Sequence, residues 1–311
     1  MNKLSLIINE LRGALPGLAL AENEPLARHT SFRIGGPCAA LIQPKSEEEL
    51  LTVCRFLREK GVRPLVMGNG SNILAADGFI PRLVLQIGEG LARTEQRGET
   101  TIRAGSGILL GRLALYAASL GLSGLEFAHG IPGTLGGAVS MNAGAYGGEM
   151  KDVLRTARYL NGDLELCESG DLQLSYRHSR FSDTEDIILS ADMELLPASE
   201  AAIRSTMKEL MERRRKSQPL DIPSAGSTFK RPVGGYAAAL IDEAGLRGCT
   251  MGGAQVSEKH AGFVVNRGGA SCEDVKRLMA HIQKTVFEHS GITLEPEVKL
   301  ITEKGIMGWN S

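Results

Sequence analysis

Two glycine-rich segments concentrate the residue types that bind phosphate. Gly68-Asn69-Gly70-Ser71-Asn72 offers backbone N–H groups unobstructed by large side chains, with side-chain donors from Asn69, Ser71 and Asn72. Such a nest suits a diphosphate. Gly130-Ile131-Pro132-Gly133-Thr134-Leu135-Gly136-Gly137 has the same character, and Thr134 is placed to cap a helix whose amino terminus faces the same anion. Two nests point to a dinucleotide; ordinary tight turns are the other reading. Two familiar phosphate motifs do not apply. No Gly-Lys dipeptide occurs, so there is no Walker loop, and Gly105-Ser106-Gly107 lacks the third glycine of a Rossmann fingerprint.

The elements that must position these loops follow from spacing. Ser46 and Glu49 form a capping-box pattern, and Leu50, Val53, Cys54 and Leu57 recur at helical intervals up to Gly61. Apolar runs at Ala39 to Ile42 and Pro64 to Met67 flank this helix, so a small βαβ unit runs directly into the first loop. Further strands are predicted at Arg82 to Ile87, Thr101 to Ala104, Val153 to Asn161 and Asp186 to Leu195, with a helix at Leu109 to Ala118. Ser199 to Ser217 reads as a long helix with Ile203, Met207, Leu210 and Met211 on one stripe. Its end carries Arg213, Arg214, Arg215 and Lys216, cations that suit the helix dipole. Pro219 and Pro223 then break the pattern. Beyond them come helices near Ala237 to Ala244 and Glu273 to His289, and strands near Gly262 to Asn266 and Glu297 to Ile301. The class is α+β in several small domains.

Composition narrows the chemistry. The 311 residues carry 35 Lys and Arg against 36 Asp and Glu, which gives no reason to expect a nucleic-acid or anionic-membrane surface. Five scattered cysteines without a C-x-x-C spacing argue against a disulfide framework and for a reducing compartment. The six histidines show no metal-ligand spacing, so no metal site is expected. No apolar run approaches the ~20 residues of a membrane span, and a cytoplasmic protein with neither a membrane nor a nucleic-acid partner is expected.

Taken in order, Phe32-Arg33-Ile34-Gly35-Gly36, the Gly68 loop, the segment Gly130 to Asn142, Tyr176-Arg177-x-Ser179, Ser224-Ala225-Gly226-Ser227-x-Phe229-Lys230 and Leu294-Glu295-Pro296-Glu297-Val298 resemble the UDP-N-acetylenolpyruvoylglucosamine reductase family. The resemblance runs from about Asn23 to Ile301. It implies an FAD-binding fold of the vanillyl-alcohol-oxidase (PCMH) type in two subdomains, 1–85 and 86–205, and a smaller α+β substrate-binding domain, 206–311. It also implies noncovalent FAD, NADPH as reductant, and reduction of enolpyruvyl-UDP-N-acetylglucosamine to UDP-N-acetylmuramate for peptidoglycan. The cofactor residues expected from it are Arg33, Gly35, Gly68, Asn69, Gly70, Ser71, Asn72, Gly130, Pro132, Gly133, Thr134, Gly137, Asn142 and Gly144. Some members insert a lid with a substrate-gripping tyrosine before the long helix. Here only Leu196-Pro197-Ala198 separates strand from helix, so the chain resembles the shorter, lidless type.

By the same resemblance Arg177 holds the substrate carboxylate, as a guanidinium can do bidentately. Glu297 supports the developing enolate, in preference to Glu295, and Ser227 delivers the proton to the substrate carbon. Lys216 and Lys230 are expected at the nucleotide phosphates. Two rivals stand beside this reading: another FAD-dependent oxidase or dehydrogenase of the same fold, and a non-enzymatic flavin-binding module.

Overall fold

The structure, a computed structural model, describes residues 3–182 and 184–308. The chain divides into two compact units that interleave in sequence. The first comprises Met1–Ala21, Leu41–Asn69 and Leu83–Arg214, and the second Glu22–Ala40, Gly70–Arg82 and Arg215–Ser311. The expected domains were contiguous stretches; here the chain passes from one unit to the other inside the strands Ala19–Pro25, Pro37–Gln43 and Ile80–Gln86 and the helix Glu200–Ser217.

The first unit is built on a five-stranded antiparallel sheet in the order Leu166–Ser169, Leu154–Leu160, Ile187–Glu194, Thr101–Gly105, Thr94–Gln96. Its central strand buries Ile187, Ile188, Leu189, Ala191 and Met193, an apolar run covered on both faces rather than an alternating one. The helix Leu110–Ser119 lays Leu110, Leu113, Ala114, Ala117 and Ala118 into the same core, at the spacing of one helical face. In the βαβ segment, Leu65–Met67 pairs in parallel with Val84–Gln86. The intervening helix is Glu47–Glu59, and Ser46 Oγ accepts from the Glu49 N–H at 3.1 Å. The reciprocal bond of the expected capping box is displaced by one residue: Glu49 accepts from the Lys45 N–H instead.

The second unit has its own core, in which Phe32, Ile34 and Leu74 pack with Ile241, Val256, Val264, Leu278 and Ile282. Its longest helix, Cys272–Ser290, starts in a complete Ser271/Asp274 capping box and stops at Gly291, whose φ of 70° is the left-handed helix cap. A meander of Thr250–Met251, Ala254–Val256 and Val264–Asn266 lies in this unit, as does the strand Lys299–Thr302, paired in parallel with Ile73–Ala75 and antiparallel with Gly305–Met307. The last long strand therefore begins two residues later than its apolar pattern predicts, leaving Glu297 just ahead of it. The helix Lys3–Ala14 and the strand Ala19–Pro25 had no counterpart among the expected elements. Among the described residues no helix is long and apolar enough to cross a membrane, and no group of three or more His, Cys, Asp and Glu is arranged to hold a metal ion.

Candidate functional site

The two glycine loops meet. Asn69 donates through Nδ2 to the Pro132 carbonyl at 2.6 Å, and a Cβ on Gly68 would overlap the Thr134 hydroxyl, so glycine at 68 is what lets the loops approach. Thr134 occupies the N-cap position of the helix Leu135–Ser140, but its side chain makes no cap hydrogen bond; the expected capping role is corrected to a packing one against Gly68. The backbone amides of Gly133 and Thr134 donate to no group among the described residues, nor does that of Asn69. A diphosphate bears acceptor oxygens on every side, so unpaired donors on two adjoining loops fit an FAD pyrophosphate. Gly70, Ser71 and Asn72 open the segment Gly70–Arg82 of the second unit, where the Gly70 carbonyl accepts from Ser31 N–H and Asn72 Nδ2 reaches the Glu297 carbonyl at 3.2 Å.

Arg33 is exposed and left-handed at φ 55°. Gly35 at φ 141° lies so close to Ala75 and Leu26 that a side chain there would collide with both. Both positions shape the Arg33–Gly36 segment by backbone conformation.

Arg177 sits at the tip of a two-residue turn closed by paired backbone bonds between Ser175 and His178. It is half-buried, has a φ of 56°, and places Nη2 3.4 Å from the Gly144 carbonyl. A non-glycine residue in this region stores strain, a condition common at functional sites. The turn is pinned from both ends: Ser179 Oγ donates to the Ser140 carbonyl at the end of the helix that follows the glycine loop, and Asn142 Nδ2 donates to the Ser175 carbonyl. Asn142 is 0% exposed, and its amide also bonds Glu149 Oε2 and the Lys151 N–H, so both N–H donors and the carbonyl are occupied within the chain. The resemblance expects Asn142 at the cofactor; its side chain joins the two loops that carry Gly144 and Arg177.

In the second unit the Ser227 and Glu297 segments run side by side. Phe229 bridges Pro296 antiparallel, and Glu297 N–H donates to the Thr228 carbonyl at 2.9 Å. Ser227 thus stands one residue from the Glu297 pairing, with its side chain exposed. Lys230 is ion-paired with Glu295, which separates the two glutamates: Glu295 is taken up by Lys230 at an exposed position, and Glu297 is half-buried. Lys216 is exposed near the end of its helix. Arg177 belongs to the first unit, and Ser227, Glu297, Lys216 and Lys230 to the second.

The curated relatives decide the family. A chain from Agathobacter rectalis named UDP-N-acetylenolpyruvoylglucosamine reductase is 47% identical over 302 residues, covering 93% of this chain and 96% of its own. This chain belongs to the UDP-N-acetylenolpyruvoylglucosamine reductase family. A relative of the same name from Clostridioides difficile is 44% identical over 305 residues, covering 97% and 100%. The C-terminal-domain model of the reductase family matches residues 218–301, and an FAD binding domain model matches residues 38–169. The crystal structure of the Thermus caldophilus reductase superposes with a TM-score of 0.78 at 33% identity, covering 91% of this chain and 98% of that one. The FAD model spans both glycine loops and the Asn142 hub, and the reductase model spans Ser227 and Glu297.

One group in the reductase scaffold escaped the sequence reading. Arg214 was grouped with Arg213, Arg215 and Lys216 as a helix-end cation, yet its Nε and Nη1 atoms are buried without a partner. The stripe Met207–Leu210–Met211 continues at helical spacing to position 214, a signal that this arginine turns inward.

Proposed function

We propose that this chain reduces the enolpyruvyl ether of UDP-N-acetylglucosamine to UDP-N-acetylmuramate, using NADPH and noncovalently held FAD. This is a step of peptidoglycan precursor synthesis, carried out in the cytoplasm on small molecules without nucleic-acid or membrane partners. Likeness to reductases over nearly the full length, at 47% identity, supports the substrate assignment, and the adjoining glycine loops with unpaired amides support the cofactor assignment. Segments 1–85 and 86–205 serve the cofactor in this reading, and 206–311 the sugar nucleotide.

The flavin, when bound, supplies the hydride. The chain's own residues manage the charge and the proton. Arg177 binds the substrate carboxylate and offsets the negative charge that grows on it; losing one such donor typically costs about 2.7–4 kcal/mol of transition-state stabilisation. Glu297, in its protonated form, donates a hydrogen bond to the same developing enolate. Ser227 Oγ gives its proton to the substrate carbon, and its exposed position after the left-handed Gly226, φ 78°, leaves the hydroxyl accessible. Lys216 and Lys230 meet the nucleotide phosphates, for which Lys230 must exchange its Glu295 partner.

The test is a visible spectrum of the purified protein followed by two anaerobic additions. NADPH should bleach the flavin, and the enolpyruvyl sugar nucleotide should restore its colour. A protein that takes up no FAD overturns the assignment. One that is reduced by NADPH but not reoxidised by the sugar nucleotide is an oxidase or dehydrogenase on other substrates.

A further inference from the structure

We propose that Arg214 is an anion-binding residue of the dinucleotide site, its guanidinium neutralising a negative charge of the bound flavin dinucleotide. This rests on the FAD reading above and adds a residue that neither the motifs nor the family resemblance assigned.

The first observation is electrostatic. Arg214 Nε and Nη1 are buried and donate to nothing. Burial pulls the guanidinium below its usual range, with the Tyr146 hydroxyl opposing this. Desolvated guanidinium donors left without partners are unfavourable, so their retention calls for an acceptor that arrives with a ligand.

The second observation is geometric. A Cβ on Gly130 would stand 3.0 Å from Arg214 Cδ and 3.3 Å from Nη1. The first glycine of the loop thus makes room for this arginine. Of the five described residues with such orphaned atoms, three border this loop: Arg214, Ser106, whose Cβ is 2.9 Å from where a Cβ on Gly136 would lie, and His129, next to Gly130 in the chain. Polar atoms without partners are rare in folded proteins, and several around one glycine loop mark a missing polar ligand. Among these groups Arg214 is the cation, so the ligand's contribution there is negative charge.

Two parts of a flavin dinucleotide supply such charge: the diphosphate in every redox state, and the ring once it is reduced. Arg214→Met keeps the length and removes the charge; Arg214→Lys restores a cation. Apoproteins of the parent and both variants are titrated with oxidised FAD and with dithionite-reduced FAD, and their thermal midpoints are measured without ligand. The expected result is a roughly ten- to hundredfold weaker FAD affinity for Arg214→Met, partly recovered in Arg214→Lys. Its apoprotein should melt no lower than the parent's, because an orphan charge has gone. Weakening in both redox states assigns the diphosphate, and weakening for reduced FAD alone assigns the ring. Parental affinity in both states overturns the proposal, as does an Arg214→Met apoprotein that melts lower with its FAD-induced rise unchanged. A parent that binds no FAD defeats the flavin reading itself.

Discussion

The Nδ2 amide of Asn142 donates to the Ser175 carbonyl at 2.9 Å, at the base of the two-residue turn that presents Arg177. The same side chain bonds Glu149 and the Lys151 N–H, and its backbone is left-handed at φ 44°. Asparagine tolerates that conformation better than other side chains do.

Asn142→Ala removes three hydrogen bonds and places a Cβ-bearing residue without a polar side chain in the left-handed region. A loss of about 2–4 kcal/mol is expected, measured by urea unfolding. Asn142→Gly removes the same bonds without the conformational penalty and should be more stable than Asn142→Ala by about 1 kcal/mol. With the Arg177 turn loosened, reoxidation by the sugar nucleotide should slow far more than reduction by NADPH. Equal slowing of both half-reactions would show that Asn142 supports the whole fold and not this turn.

The approach of Gly68 to Thr134 is testable by exchange of bulk. Gly68→Ala drives a methyl into the Thr134 hydroxyl and should cost about 1–3 kcal/mol with reduced FAD content on purification. Thr134→Ala in the same chain opens that space and should recover much of the loss. If the double variant is as poor as Gly68→Ala alone, the clash is not the reason for glycine at 68.

Burial lowers the pKa of His260, with the Arg247 charge adding to the effect, and burial does the same to His129. The folded state therefore resists protons that the unfolded chain accepts at its ordinary 6.5. Above about pH 6.5 neither state is charged and the contribution is level. Stability falls as pH drops below that value, until the folded-state pKa is passed. His260→Asn should make the decline of the urea midpoint between pH 7 and pH 5 shallower. An unaltered slope would assign the acid sensitivity to other groups.

Ser227→Ala should leave reduction by NADPH nearly intact, because that step needs no proton at the sugar nucleotide. Reoxidation should slow by ~10²- to 10⁴-fold, the usual contribution of a positioned acid. Rapid-mixing spectra of the two half-reactions read this directly. Unchanged reoxidation removes Ser227 from the mechanism.

Much of the scaffold was legible in the order of residues alone, because its signals are local. The spacing of Leu50, Val53, Cys54 and Leu57 defines a helix whatever surrounds it, and the apolar run at Ile187–Glu194 declares a covered strand. The glycine loops were likewise readable, because a loop that must expose its amides is written in glycine, serine and asparagine at consecutive positions, whereas Arg177, Ser227 and Glu297 stand out only through the family resemblance. What only the tertiary structure decided concerns groups whose partners are distant in sequence. Thr134 looks like a helix cap until Gly68 is brought against it. The resemblance prefers Glu297 to Glu295, but only the folded chain shows Glu295 in an ion pair with Lys230. Arg214 is one of four consecutive cations, and burial beside Gly130 is what distinguishes it. The physical reason is the same in each case. Helical and strand periodicity depend on neighbours within a few residues, whereas desolvation and hydrogen-bond satisfaction depend on everything that packs around an atom, and that is known only once the chain has folded.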